Sequence, residues 1–248
     1  MKRFGVVAIV SGLAVLALAM QYIPNVFAHG YEFEREGIRI FDRDSVVYGR
    51  TYSEWNAAWQ QWATSIPTAN HPLFDNGDCS VGQSGPVWFL GRKFVAVGGV
   101  ATGNAVRNCS VPAGKALYVA VYNAEDSALE ETTAGLGHPA QIGELRAITA
   151  QQMDGITDLS MQVDFENIAN IKERFRVQSS AFGFTLPPDN FFTAIGEGPF
   201  PEGTYFPAVD DGYYVMVAPM PIGHHTIHFH GSTGPNLLDI TYHIYVYR

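Results

Sequence analysis

The sequence predicts a mainly β fold, an antiparallel β-sandwich of jelly-roll type with one or two packed helices. Three observations predict it. Eight short runs rich in β-branched and aromatic residues are bounded by Gly, Pro, Asn or Asp. One stretch alone has strong helical periodicity. The alternating strand–helix order and glycine loops of nucleotide-binding folds are absent.

The chain of 248 residues divides into a signal peptide over 1–28 and a single secreted domain over 29–248. Lys2 and Arg3 precede an apolar run from Phe4 to Met20. Pro24 breaks that run, and Val26-Phe27-Ala28 places a cleavage site before His29. The run is at the lower limit for a bilayer span, so a retained N-terminal anchor is the alternative. Removing Lys2 and Arg3 takes the formal charge from −9 to −11. That acidity excludes a phosphate backbone or an anionic membrane surface as partner. Once the signal is cleaved, nothing in the chain predicts membrane insertion, and localisation is secreted, periplasmic or cell-surface. In such a compartment Cys79 and Cys109 are expected to pair. The bridge would close a loop of about 30 residues and stabilise the fold by roughly 3 kcal/mol.

"TYSEWNAAWQQWATSIP" is the clearest helix. Thr51 and Glu54 have capping-box spacing, and Tyr52, Trp55, Trp59, Trp62 and Ile66 form one stripe. The stripe predicts a core-facing helix; the other use of three tryptophans is to stack sugar rings. "NHPLFDNGDC" follows. Asp75, Asn76 and Asp78 around Gly77 resemble a calcium loop faintly, and an Asx turn is the expectation. The strand runs are "GPVWFLG", "KALYVAVY", "DLSMQVDF", "RFRVQS", "FGFTL", "GYYVMVA", "HTIHFHG" and "DITYHIYVY". A second helix is expected from Pro139 to Met153, with Ile142, Leu145 and Ile148 or Thr149 inward. Glu125-Asp126 and Glu130-Glu131 form paired carboxylates of the kind used in glycoside hydrolysis, but read as a solvated acidic loop. Serine-hydrolase and zinc-protease motifs are absent.

"GHHTIHFHG" places four of the chain's eight histidines within seven residues. With the last two runs paired as a hairpin across "GSTGPN", Leu238, Ile240, Tyr242, Ile244 and Val246 face the core with Ile227 and Phe229. His224, Thr226, His228 and His230 then share the outer face with Asp239, Thr241 and His243. Alternate residues on a strand lie about 6.5–7 Å apart, and diagonal cross-strand neighbours about 7–8 Å apart. His228, His230 and His243, with Asp239 as fourth ligand or support, would thus hold a divalent ion, copper or zinc, through nitrogens about 2 Å away. If cleavage follows Ala28, His29 becomes the N-terminus and offers an amine and an imidazole to one copper. That brace resembles the N-terminus of lytic polysaccharide monooxygenases, and His228-x-His230 resembles the copper-binding B subunit of particulate methane monooxygenase.

Several blocks taken together, "EWNAAWQQWATSIP", "GPVWFL", "CSVPAGKALYV", "FRVQSSAFGFTLP", "DGYYVMVAPMPIGHHTIHF" and "ITYHIYV", resemble a family of uncharacterised exported bacterial proteins. The resemblance runs from about Thr51 to the C-terminus and implies one secreted domain without implying a reaction. In that family the last block reads like G-K-H-T-I-H-F-G-G, which His225, His228 and His243 match and His224 and His230 do not. The functional expectation is an exported extracellular binding protein with a divalent metal site on the final hairpin. The alternatives are a copper-dependent oxidase built on His29 and a carbohydrate-binding domain using Trp55, Trp59 or Tyr245.

Overall fold

The computed structural model describes residues 31–34, 37–94, 102–134, 138–234 and 236–248. The signal segment and His29 lie outside the described residues. The strands are β1 (Tyr31–Glu34), β2 (Ile38–Phe41), β3 (Val87–Gly91), β4 (Thr102–Pro112), β5 (Ala116–Ser127), β6 (Asp158–Val163), β7 (Glu166–Asn167), β8 (Arg176–Gln178), β9 (Phe182–Leu186), β10 (Gly203–Val217), β11 (Gly223–Thr233) and β12 (Asn236–Tyr247). The helices are α1 (Tyr52–Ser65), α2 (Ala128–Ala134), α3 (Ile142–Asp154), α4 (Ile171–Arg174) and α5 (Phe191–Ile195).

The protein is mainly β, as expected, but the sheets are mixed. One sheet has the order β1-β2-β10-β5-β3, with β8 and β9 also on β10; the other has the order β4-β12-β11-β6-β7. β3 runs parallel to β5, and β4 runs parallel to β12. These pairings correct the expectation of an antiparallel, jelly-roll-like sandwich. Alternation within a strand reports which side is buried; it carries no information on the direction of a partner distant in sequence. Here β4 leaves the first sheet for the second, and the chain returns to β5 in the direction of β3.

All eight expected runs are strands. β5 and β10 are buried along most of their length, because each is central in its sheet and covered on both faces. On β12 alternation is strict: Leu238, Ile240, Tyr242, Ile244 and Val246 are all buried.

α1 begins as its sequence requires. Thr51 N–H donates to Glu54 Oε2 at 2.8 Å, and Glu54 N–H donates back to Thr51 Oγ1 at 3.3 Å. Its tryptophans are core, and each indole N–H reaches a carbonyl: Trp55 to Val47 at 2.8 Å, Trp59 to Leu90 at 2.9 Å and Trp62 to Val81 at 3.1 Å. α3 occupies most of the expected second helix, but its inward residues are Leu145, Thr149 and Met153, with Ile142 exposed. Cys79 and Cys109 form the disulfide, tying the loop after α1 to β4. Among the described residues no helix is long and apolar enough to cross a membrane.

Candidate functional site

At the end of β5 the sequence runs Asn123-Ala124-Glu125-Asp126-Ser127 and turns directly into α2. This is no solvated acidic loop. Glu125 and Asp126 lie within the ladder, opposite Asp210 and Val209 of β10. Ser127 starts α2 as a side-chain cap: its hydroxyl accepts from Glu130 N–H at 3.4 Å and donates to Glu130 Oε2 at 2.5 Å, while its own N–H donates to Asp126 Oδ1 at 2.8 Å. The Ser127-x-x-Glu130 spacing is the sequence signal that announces this helix. The cap turns Glu130 back toward the strand it has just left.

The result is a cleft of about 450 Å³ lined by Glu125, Asp126, Glu130, Glu131 and Glu197. Phe94, Phe191, Phe192 and Phe200 form its apolar wall, with Arg92 at its side. Phe94 and Phe191 stack at 5.1 Å. Beneath the cleft Asp210 is fully buried. Its carboxylate accepts from Asn123 Nδ2 at 2.9 Å and Tyr214 Oη at 3.0 Å, and from the Gln60 amide.

Burial raises every carboxyl resolved here. Asp210 rises to about 7 despite the donors around it. Asp126 rises to about 7 through burial and the nearby Glu131 charge, with the Ser127 N–H pulling the other way. Glu125 and Glu130 stand well above the usual range, through burial first and through neighbouring charges second. Their mutual hydrogen bond favours Glu125 as the protonated donor and Glu130 as the acceptor. Glu197 is at the exposed rim; partial burial raises its carboxyl, and the Arg92 charge counters part of the rise.

Several polar atoms of residues that line the cleft are buried without a hydrogen-bond partner: Asn123 Oδ1, Glu125 Oε1, Asp126 Oδ2 and Arg92 Nε. Asn123 and Asp126 are each only 4% exposed. Such atoms are uncommon in folded proteins.

The histidine hairpin has the expected register. Thr226 faces His243, His228 faces Thr241, and His230 faces Asp239. His228, His230 and His243 therefore emerge on the outer face. Asp239 bridges two of them: Oδ1 lies 3.1 Å from His228 Nε2, and Oδ2 lies 3.6 Å from His230 Nδ1. The other nitrogen of His230 lies 3.2 Å from Asp158 Oδ2. His243 takes no part in that chain; with His228 it lines a shallow depression beside the exposed Phe165. Among the described residues, no three His, Cys, Asp or Glu side chains are grouped to hold a metal ion. His225 is engaged by Asp164 Oδ2 at 2.7 Å and by the Pro221 carbonyl at 2.9 Å.

Two other candidates resolve as structural. Trp55 and Trp59 are buried and offer no face to a sugar, so of the aromatic candidates only Tyr245 is exposed, its ring packed 4.9 Å from His224. Asp78 makes the expected Asx turn with Ser80 N–H at 2.7 Å. Asp75 is held by Arg107 at 2.7 Å and Lys93 at 2.8 Å, so its charge is already met.

Sequence reasoning missed His71, which is fully buried among Trp62, Phe74 and Phe94. Its Nε2 donates to the Ala63 carbonyl at 2.8 Å and its Nδ1 accepts from Leu73 N–H at 3.0 Å. Burial lowers its pKa to about 4. It is a structural residue, tying the loop after α1 to the helix.

No protein-family model matches the chain. No curated protein matches it either. Two solved structures are similar over part of its length. One is the cysteine protease inhibitor EhICP2 from Entamoeba histolytica, at 10% identity and a TM-score of 0.24, covering 65% of this chain and 96% of that one. The other is PbICP-C in complex with falcipain-2, at 12% identity and a TM-score of 0.25, covering 66% of this chain and 100% of that one. Neither superposition is close enough to establish a shared fold.

Proposed function

We propose that this chain is an exported, non-catalytic binding protein whose ligand is a small organic cation held in the acidic cleft. One observation carries the reading: Asn123 and Asp126, both deeply buried members of the cleft lining, each hold an acceptor oxygen that no donor meets. A buried acceptor left unpaired costs about 1–3 kcal/mol, more when charged. An ammonium or guanidinium group supplies the missing donors, and its charge compensates the carboxylates that burial otherwise keeps protonated. The phenyl wall suits an apolar body attached to that charge, and a cavity of about 450 Å³ falls in the usual range for small-ligand sites. Export is supported by the signal-like segment and the disulfide.

Calorimetric titration with 2-phenylethylamine near pH 8 tests the reading. Binding by the wild type, weakened at least about tenfold in Asp126→Asn, is the expected result. An absence of heat with wild-type protein, or equal binding by the variant, ends it.

The hairpin carries a second reading, a copper or zinc site at His228 and His230, supported by the Asp239 carboxylate that reaches both rings. An ion there would have to displace the hydrogen bonds that now join these groups. Equilibrium dialysis against each metal, repeated on His228→Ala, decides it. Undiminished uptake by the variant, or no uptake at all, removes the site.

A further inference from the structure

Arg92 follows directly after β3 and is half-buried. Its guanidinium lies 5.7 Å from the Phe94 ring centre and 6.0 Å from that of Tyr122, within cation–π range. Among the described residues, no direct hydrogen bond or ion pair engages it, although its charge is felt at Glu197, and its Nε is buried without a partner. Other arginines withdrawn from solvent behave differently. Arg107 donates to Asp75, the Gly91 carbonyl and Tyr242, and Arg176 grips Asp211 and Asp154. A guanidinium pre-positioned on two rings, in a cleft lined by five carboxylates, would ordinarily pair with one of them.

We propose that the ligand is a zwitterion, an α-amino acid with an apolar side chain, whose ammonium meets Asn123, Asp126 and Glu130 and whose carboxylate meets Arg92. This rests on the cation-binding reading above and adds the ligand's second charge. A diamine would satisfy the carboxylates and be repelled by Arg92. A dicarboxylate would suit Arg92 and be repelled by the five acidic side chains. A neutral polyol would fill hydrogen bonds and leave every charge uncompensated. An α-amino acid carries both charged groups on one carbon, and the guanidinium fork matches a carboxylate with two parallel bonds. The phenyl wall of Phe94, Phe191, Phe192 and Phe200 then receives the side chain.

The test is calorimetry near pH 8 with L-phenylalanine, 2-phenylethylamine and 3-phenylpropionate, on wild type, Arg92→Met and Arg92→Lys. Phenylalanine should bind the wild type at least about tenfold more tightly than phenylethylamine, with no binding of phenylpropionate. Arg92→Met should abolish that advantage, and phenylethylamine, freed of the nearby positive charge, should bind the variant at least as tightly as the wild type. Arg92→Lys, which keeps the charge and loses the fork, should retain part of it and also guards against misfolding of the methionine variant. Equal binding of phenylethylamine and phenylalanine by the wild type overturns the zwitterion and leaves the cation site standing, as does an advantage that survives in Arg92→Met. Failure of both ligands to bind overturns both.

Discussion

Asn123 Nδ2 donates to Asp210 Oδ2 at 2.9 Å, and this bond decides how the cleft is dressed. With its amide nitrogen committed below, Asn123 presents only its carbonyl oxygen to the cleft lining, where it finds no donor. Asp210 is therefore a positioning residue. It orients Asn123 and Gln60 together, and Tyr214 holds Asp210 in turn.

Asp210→Asn should expose this arrangement. Gln60 and Asn123 both donate to Oδ2 and Tyr214 donates to Oδ1, so the substituted amide, with one acceptor oxygen, turns its N–H₂ either on the Tyr214 hydroxyl or on both amides. Destabilisation of about 2–4 kcal/mol is expected in urea unfolding.

The ligand-free protein should be more stable near pH 5 than near pH 8. Asp126 and Asp210 have folded pKa values of about 7, above the unfolded value, so their contribution is fully present below about 4 and is lost as pH rises through 7. Glu125 on the same strand and Glu130 on α2 are raised as well and act in the same direction. His71 acts oppositely, but it is one group against four. A net loss of at least about 2 kcal/mol between pH 5 and pH 8 is expected in chemical denaturation. Saturating phenylethylamine should recover most of it. Stability that is flat or rising with pH contradicts the buried carboxyl cluster.

His71 should remain neutral far below the ordinary histidine range. Its folded pKa of about 4 is depressed, so its contribution is full above about 6.5 and is lost as pH falls toward 4. Nitrogen-15 NMR should find Nε2 protonated and Nδ1 bare down to about pH 5. A ring that titrates near 6.5 would mean that the Ala63 and Leu73 bonds are not made.

Gly231 closes the histidine run of β11, and a Cβ there would stand 2.6 Å from Tyr122 Cδ2 on β5. The two sheets meet at that point. Gly231→Ala should cost about 1–3 kcal/mol through forced displacement of the Tyr122 ring, measured by thermal or urea unfolding. Gly223→Ala, at the other end of the strand and in open space, has no such clash, although its positive φ adds local strain.

What the sequence by itself determined is local. Alternation put Ile227, Phe229, Ile240 and Tyr242 inside and His228, His230 and His243 outside, because side chains on a strand change face at every residue. The Thr51–Glu54 cap and the tryptophan stripe determined α1 in the same way, through contacts three and four residues apart. Only the tertiary structure decided that β3 runs beside β5 and β4 beside β12, and that Glu125, Asp126, Glu130, Glu197 and Arg92 line one cleft. A run of acidic residues has the same spelling whether water or protein covers it. Here α5 with the segment following it, and the residues after β3, arrive from distant parts of the chain to cover it. Charge held away from water, the basis of the binding site, is a property of those long-range contacts, and it left no periodic trace in the sequence.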